Sequence, residues 1–316
     1  MHRLTQPDRH RPRDPLHCFL TALIRRLAAG ALVCLFNGPL HAAIELTQAD
    51  GSTLALPRPA GTLITLAPHL TELAFAAGAG RQLIATVEYS DYPAEAASIP
   101  RIGDAFKLDL ERILTLKPDL VIAWQSGNPA TAVDYLQDLG IATWTVEIRR
   151  PEEIAGTLEA MGGATGNVEA ARLAAQSTRQ QLDRIKDRYA GSSSVPYFYQ
   201  VTVHPLYTIN GSHLISRSLA LCGGQNIFEH AAGLAPQVAR ESVIAANPRA
   251  LIAPLGPSQP DPLAAWRYWP GIPAVQTGSL ILLPEDEISQ ATPRLLDAIE
   301  TACMLLNQTR TGRPDD

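Results

Sequence analysis

Between residues 62 and 256 the apolar positions change period repeatedly, and each change marks an element. TLITLAP (62–68) is a short β-rich run ending at a proline and reads as a buried strand. TELAFAAGAG (71–80) reads as a helix capped by Thr71 and stopped by glycines. QLIATVE (82–88) predicts the next strand, and LDLERILTLKP (108–118) a helix with Asp109 as N-cap and Pro118 just past its end. DLVIAW (119–124) predicts a buried strand, TAVDYLQDLG (131–140) a helix closed by glycine, and IATWTVEI (141–148) a further strand. Alternation of this kind predicts α/β architecture, a parallel sheet with helices on both faces.

Residues 168–189 break the alternation. Val168, Ala171, Ala175, Thr178, Leu182, Ile185 and Tyr189 step by three and four, a single apolar stripe uninterrupted by Gly or Pro. A helix of this length spans roughly 33 Å, about one domain diameter. Gly191 and Ser192 to Ser194 then mark a boundary, after which PYFYQVTV (196–203), a helix near SHLISRSLALCGG (212–224), and ALIAPLG (250–256) resume the βα pattern. The expected organisation is an N-terminal lobe over 43–165, a connecting helix over 166–191, a C-terminal lobe over 192–309 and a disordered tail over 310–316.

The two halves echo each other. LERILTLKPDLVIA (110–123) and RESVIAANPRALIA (240–253) align at a constant offset of 130: Glu111 with Glu241, Ile113 with Val243, Pro118 with Pro248, Ile122-Ala123 with Ile252-Ala253. The apolar and proline matches need only mean a shared helix, turn and strand. The glutamates suit a helix start, where the dipole favours an anion. Alternatively they form a matched pair of negative posts for a two-fold partner.

Charge and composition narrow the function. A net charge of −5 disfavours a phosphate-tracking nucleic-acid binder. Residues 1–26 hold six arginines and two aspartates, LAAGALVCLF (27–36) follows, and small residues end at Ala42-Ala43, the outline of a secretory signal over 1–42. Its removal would shift the net charge to −9 and leave two cysteines, Cys222 and Cys303. In an oxidising compartment they suit one disulfide; two buried thiols are the alternative.

Several stretches together resemble one family: TLAPHLTELAFAAG (65–78), EYSDYP (88–93), LDLERILTLKPDLVIAW (108–124), LALCGGQNIF (219–228), PQVARE (236–241) and ATPR (291–294). The chain is similar to the periplasmic substrate-binding proteins of ABC importers, in the helical-backbone class, and within it to the branch that binds vitamin B12. The resemblance covers about residues 60–306. It implies two Rossmann-like lobes with parallel sheets joined by a single long α-helix, and a ligand, cobalamin or a related corrinoid, held between them. It implies a Cys222–Cys303 disulfide, and docking of Glu111 and Glu241 on arginines of the transmembrane permease subunits. It also implies that Tyr89, Trp124 and Tyr207 offer aromatic faces to the ligand, with Asp286 and Gln290 as polar contacts. A broad, mostly apolar ring suits flat side chains, and Trp124 ends a predicted parallel strand, where open α/β sheets bind ligands. Ala105 and Ala235 stand where some B12 binders carry tryptophan, and Gln290 where a basic residue can occur; these departures imply a pocket that is wider, accepts other corrinoids or binds more weakly.

Ferric-siderophore and haem receptors share the scaffold and form the main alternative. The histidines after the leader, His69, His204, His213 and His230, include no chelating pair on a helix face, so no resident metal or other cofactor is expected. No GxSxG, P-loop or zinc-hydrolase motif occurs, so an enzyme is not expected, although cleft enzymes such as chelatases share a two-lobe design. The expected product is a monomeric periplasmic receptor.

Overall fold

A computed structural model describes residues 43–311; the expected leader and residues 312–316 lie outside the described residues. The chain opens with an antiparallel hairpin, β1 (Ile44–Thr47) and β2 (Thr53–Leu56), turned through Asp50 and Gly51. The Asp50 carboxylate accepts from the Ser52 N–H and hydroxyl, and Gly51 takes the positive φ that such a turn needs.

The first sheet contains β3 (Leu63–Thr65), β4 (Leu83–Ala85), β5 (Leu120–Trp124) and β6 (Thr143–Val146), ordered β4-β3-β5-β6 and parallel throughout. Helices α1 (Pro68–Ala76), α2 (Leu110–Leu116) and α3 (Ala130–Asp138) connect them. The hairpin extends this lobe at β6: Trp144 Nε1 donates to the Thr47 carbonyl (2.9 Å) and the Thr145 N–H to Gln48 Oε1 (2.7 Å). Thr71 is not a cap. Pro68 starts α1 three residues earlier, and Thr71 lies buried inside it, its hydroxyl 2.8 Å from that of Thr65 and 2.5 Å from that of Thr86. Asp109 does cap α2, accepting from the Arg112 N–H at 3.0 Å.

Helices α4 (Pro151–Thr165) and α5 (Val168–Tyr189) follow as an antiparallel pair closed by Gly166 at φ 77. The long helix has the predicted bounds, but Val168 is exposed and its buried stripe starts at Ala171. Helix α4 braces it. A Cβ on Gly162 would stand 2.3 Å from Ala171 Cβ, so only glycine lets the axes approach this closely. Ion pairs Arg179–Glu159 (2.6 Å) and Lys186–Glu152 (2.8 Å) clip the pair from outside.

The second sheet contains β7 (Val195–Tyr199), β8 (Gly224–Asn226), β9 (Ala250–Leu255) and β10 (Leu280–Pro284), ordered β10-β9-β7-β8 and again parallel. Its helices are α6 (Leu214–Ala220), α7 (Arg240–Ala246), α8 (Pro273–Gln276), α9 (Glu285–Ile288) and α10 (Arg294–Thr311). Strand β7 ends at Tyr199, short of the predicted run, where Gln200 turns to donate to the Pro262 carbonyl and accept from Trp266 Nε1. Arg310 and Thr311, expected in a tail, end α10 instead. The Arg310 guanidinium donates to the carbonyls of Ser193 and Cys222 and so secures that end of the helix.

Alternate residues of each central strand divide between two cores. Leu120 and Ile122 of β5, Tyr197 and Tyr199 of β7, and Ala250 and Ile252 of β9 belong to one cluster that also takes in the α5 stripe and the apolar face of α10. Val121 and Ala123 face a second cluster within the first lobe, and Phe198, Leu251 and Ala253 a third within the second. The two lobes therefore share a continuous interior. Cys222 and Cys303, both fully buried in that shared core, form a disulfide with Cα atoms 5.5 Å apart. Replacing the pair by serine is expected to lower unfolding free energy by about 2–5 kcal/mol, read as a shift in denaturant midpoint with unchanged slope.

Candidate functional site

The carboxyl ends of both sheets open on a cleft of about 550 Å³, within the range of small-molecule sites. From the first lobe come Pro68 and His69 at the start of α1, Trp124 at the end of β5, and the Glu147–Arg149 segment after β6. From the second come Ser212 to Ile215, Arg217 and the loop Ile288–Ala291.

Trp124 is set in place by its neighbours. Its backbone N–H donates to Asn128 Oδ1 (2.6 Å), and the buried Asn128 amide donates to the carbonyls of Leu66 and Ala105, both at 2.8 Å. A Cβ on Gly127 would stand 1.8 Å from the indole, so the turn after β5 closes over the ring only because residue 127 is glycine. His69 meets the ring edge-on, centroids 5.2 Å apart at 87°. Burial pushes His69 down to about 4, so the imidazole is neutral near pH 7. His213 is likewise pushed down to about 4 by burial; its Nδ1 accepts from the Ile215 N–H and caps α6.

A polar tie fixes the cleft's width. Glu72, one turn beyond His69 on α1, accepts from the Thr292 hydroxyl (2.5 Å) and pairs with Arg294 (3.4 Å), both from the second lobe. Arg294 also pairs with Asp286 (2.6 Å) and lies over the Tyr92 ring, 4.0 Å from its centroid. The cleft-lining loop 288–291 is thus anchored at its C-terminal flank, through Thr292 and Arg294, to the helix that supplies the opposite wall, while Asp286 on its other flank holds Arg294 in place. Burial raises the Glu72 carboxyl, opposed by the Thr292 hydroxyl and then by Arg294. Glu72, Tyr92 and Arg294 also border a wider hollow of about 950 Å³; its central charges are already paired with each other.

Of the residues expected at the ligand, Trp124 and Gln290 line the cleft. Tyr89 is 80% exposed, in left-handed backbone (φ 66) on the segment leaving β4. Tyr207 is half-buried on the loop after β7, bridged to Thr202 and Gln237. Asp286 holds Arg294. Trp124 is the last residue of a parallel strand, and the other four follow the carboxyl end of one. Sequence reasoning missed Asn128, Glu72, Arg149 and Arg217; only Asn128, four residues past a strand-ending tryptophan, had a local signal. Glu111 and Glu241 are exposed second residues of α2 and α7, without a side-chain partner among the described residues. A helix leading through a short turn into a parallel strand runs antiparallel to it. Both glutamates therefore stand on the side of the strand carboxyl ends, where the cleft opens. Among the described residues no cluster of three or more His, Cys, Asp and Glu side chains is placed to hold a metal ion, and no helix is long and apolar enough to cross a membrane.

Two parallel-sheet lobes joined by a long helix, with a lined cleft between them, define a two-lobe α/β binding protein. Residues 63–287 match the periplasmic binding protein family, and the chain belongs to it. It is 38% identical over 259 residues to a vitamin B12-binding protein of Vibrio cholerae, covering 81% of this chain and 92% of the relative. A vitamin B12-binding protein of Yersinia pestis is 37% identical over 270 residues, covering 85% and 93%. The crystal structure of the periplasmic vitamin B12-binding protein BtuF of Vibrio cholerae superposes with a TM-score of 0.75 at 37% identity, over 80% of this chain and 98% of that one. A haem-binding protein of Roseiflexus shares the fold at 19% identity, TM-score 0.68.

The buried imidazoles set a pH dependence. Their folded values lie below the unfolded value of about 6.5, so the stability they contribute is complete above that value and is lost as pH falls toward 4. Glu72 has the opposite sign: its folded value is raised, so its contribution declines as pH rises through that value. Thermal melts from pH 7.5 to 4 should show acid destabilisation of up to about 3 kcal/mol from His69, flattened in His69→Gln. Glu72→Gln should steepen the acid loss, because the opposing contribution of the buried carboxyl disappears.

Proposed function

We propose that this protein is a periplasmic receptor that captures cobalamin or a related corrinoid in the cleft and delivers it to an ABC permease. The observation that carries the reading is the cleft itself: an indole fixed at a strand end, between lobes whose sequence and fold match vitamin B12-binding relatives over four-fifths of the chain. An apolar macrocycle gains contact area on Trp124 at low entropic cost. Gln290 supplies a polar contact from the opposite loop. Tyr89 and Tyr207 close over the guest's rim, and Asp286, on the loop that carries Gln290, supplies a second polar contact. The leader is removed on export, the mature protein is monomeric, and it performs no chemistry on its cargo.

Glu111 and Glu241 form the landing posts for the permease. Their shared position, exposure and lack of partners support this role. Delivery also requires that loaded and empty receptor differ in their affinity for the permease, since equal affinity shifts no equilibrium.

Calorimetric titration with cyanocobalamin, haem and ferric siderophores tests the ligand. Stoichiometric binding of cyanocobalamin, weakened at least about tenfold by Trp124→Ala, is the expected result. Preference for haem or a siderophore, or turnover of any of them, overturns it. Glu111→Lys with Glu241→Lys should reduce corrinoid delivery at least about tenfold with cleft affinity unchanged. A collapse of affinity instead would move the two glutamates from the docking face to the cleft or the folding core.

A further inference from the structure

The cleft contains two arginines that the reading above does not use. Arg149 follows β6 in the first lobe, and Arg217 lies on α6 in the second; both line the same cleft. Neither guanidinium has a hydrogen-bonding, ionic or aromatic partner among the described residues, whereas Arg58, Arg101, Arg150, Arg172, Arg179, Arg188, Arg267 and Arg294 all form ion pairs. Arg81, Arg112 and Arg184 are also unpaired but do not line the cleft; what sets Arg149 and Arg217 apart is that two unpaired guanidiniums share one cleft. One carboxylate, Glu147, shares the cleft, and its Oε2 accepts the Ser126 N–H at 2.9 Å. Charged groups lining the cleft thus total two positive and one negative, in a chain of net charge −5. His213 adds a donor. With Nδ1 accepting the Ile215 N–H, the proton of the neutral ring sits on Nε2. A low-dielectric cleft concentrates such a local field, and unpaired guanidinium forks match oxyanions.

We infer that the cleft selects a guest carrying, beside an apolar face for Trp124, an anionic group, a phosphodiester or carboxylate, gripped between Arg149 and Arg217 from opposite lobes. This rests on the reading of the cleft as the ligand site and adds a requirement to it. For a corrinoid, the group is the phosphodiester of the nucleotide loop.

Three probes separate the sources of the anion: cyanocobalamin, with its phosphodiester; dicyanocobinamide, the same ring system without it; and haem, with two carboxylates. The wild-type protein should bind cyanocobalamin about tenfold or more tightly than dicyanocobinamide, with a steeper loss of affinity in salt. Arg149→Gln and Arg217→Gln should each remove most of that advantage and leave dicyanocobinamide unchanged, while Arg149→Lys and Arg217→Lys retain part of it. Neither side chain has a folding partner, and unchanged melting temperatures verify that the variants fold. Equal affinity for both corrinoids, or Gln variants that weaken both equally, overturns the inference and leaves the corrinoid reading standing. If haem binds and corrinoids do not, the corrinoid reading fails, and the arginine pair stands only if the Gln variants weaken haem. No binding of any probe overturns both.

Discussion

The constraint on which the molecule depends is that two parallel sheets bury their inner faces in one interior. Leu120 and Ile122 from one lobe and Tyr197, Tyr199 and Ile252 from the other contribute to a single apolar cluster. Separating the lobes would expose that cluster at about 25 cal/mol per Å², an opposing force that no short linker would supply. The helix pair formed by α4 and α5 reinforces the joint, and the buried disulfide staples the second lobe to its closing helix. The cleft is therefore a nearly preformed gap between rigid walls, and its chemistry can be set by single side chains.

Those walls are built by residues one step removed from the guest. Trp124 keeps its place on the cleft wall because Asn128 holds its backbone N–H and Gly127 leaves room for the ring beside the turn. His69 stays uncharged beside it because burial makes the imidazolium costly, which keeps the wall receptive to an apolar face. Glu72 accepts the penalty of desolvation because Thr292 and Arg294 meet it from the other lobe. Such a tie, buried and charge-assisted, specifies the spacing of the walls more than it stabilises them.

Much of this was legible in the sequence, for local reasons. The repeated unit at offset 130 appears in the structure with the same helix starts, the same left-handed residues closing the helices, Lys117 and Asn247, and strands beginning at Leu120 and Ala250. The long helix announced itself by a clean stripe. Helix α4 did not, because Gly156, Gly162 and Gly163 lower its propensity; at Gly162 the reason is contact with Ala171 across the pair. The opening hairpin was too short and too close to the leader to stand out. The Glu72–Thr292 bond joins residues 220 apart and has no periodic signature, and Arg149 and Arg217 look in sequence like any solvated charge. The site was therefore readable where one strand end made it, and unreadable where two lobes met.

The repeat also separates two kinds of symmetry. The rim of the molecule carries near-duplicate corners, each a short helix with a glutamate in its first turn, while the bed between them is lopsided: each wall holds an imidazole and a guanidinium, and only the first lobe's adds an indole. A dyad-related gate that felt only the corners would accept the receptor turned end for end, and its two halves would meet opposite faces of the same cargo. Whatever exit path the cargo takes would then have to be indifferent to which way round it arrives.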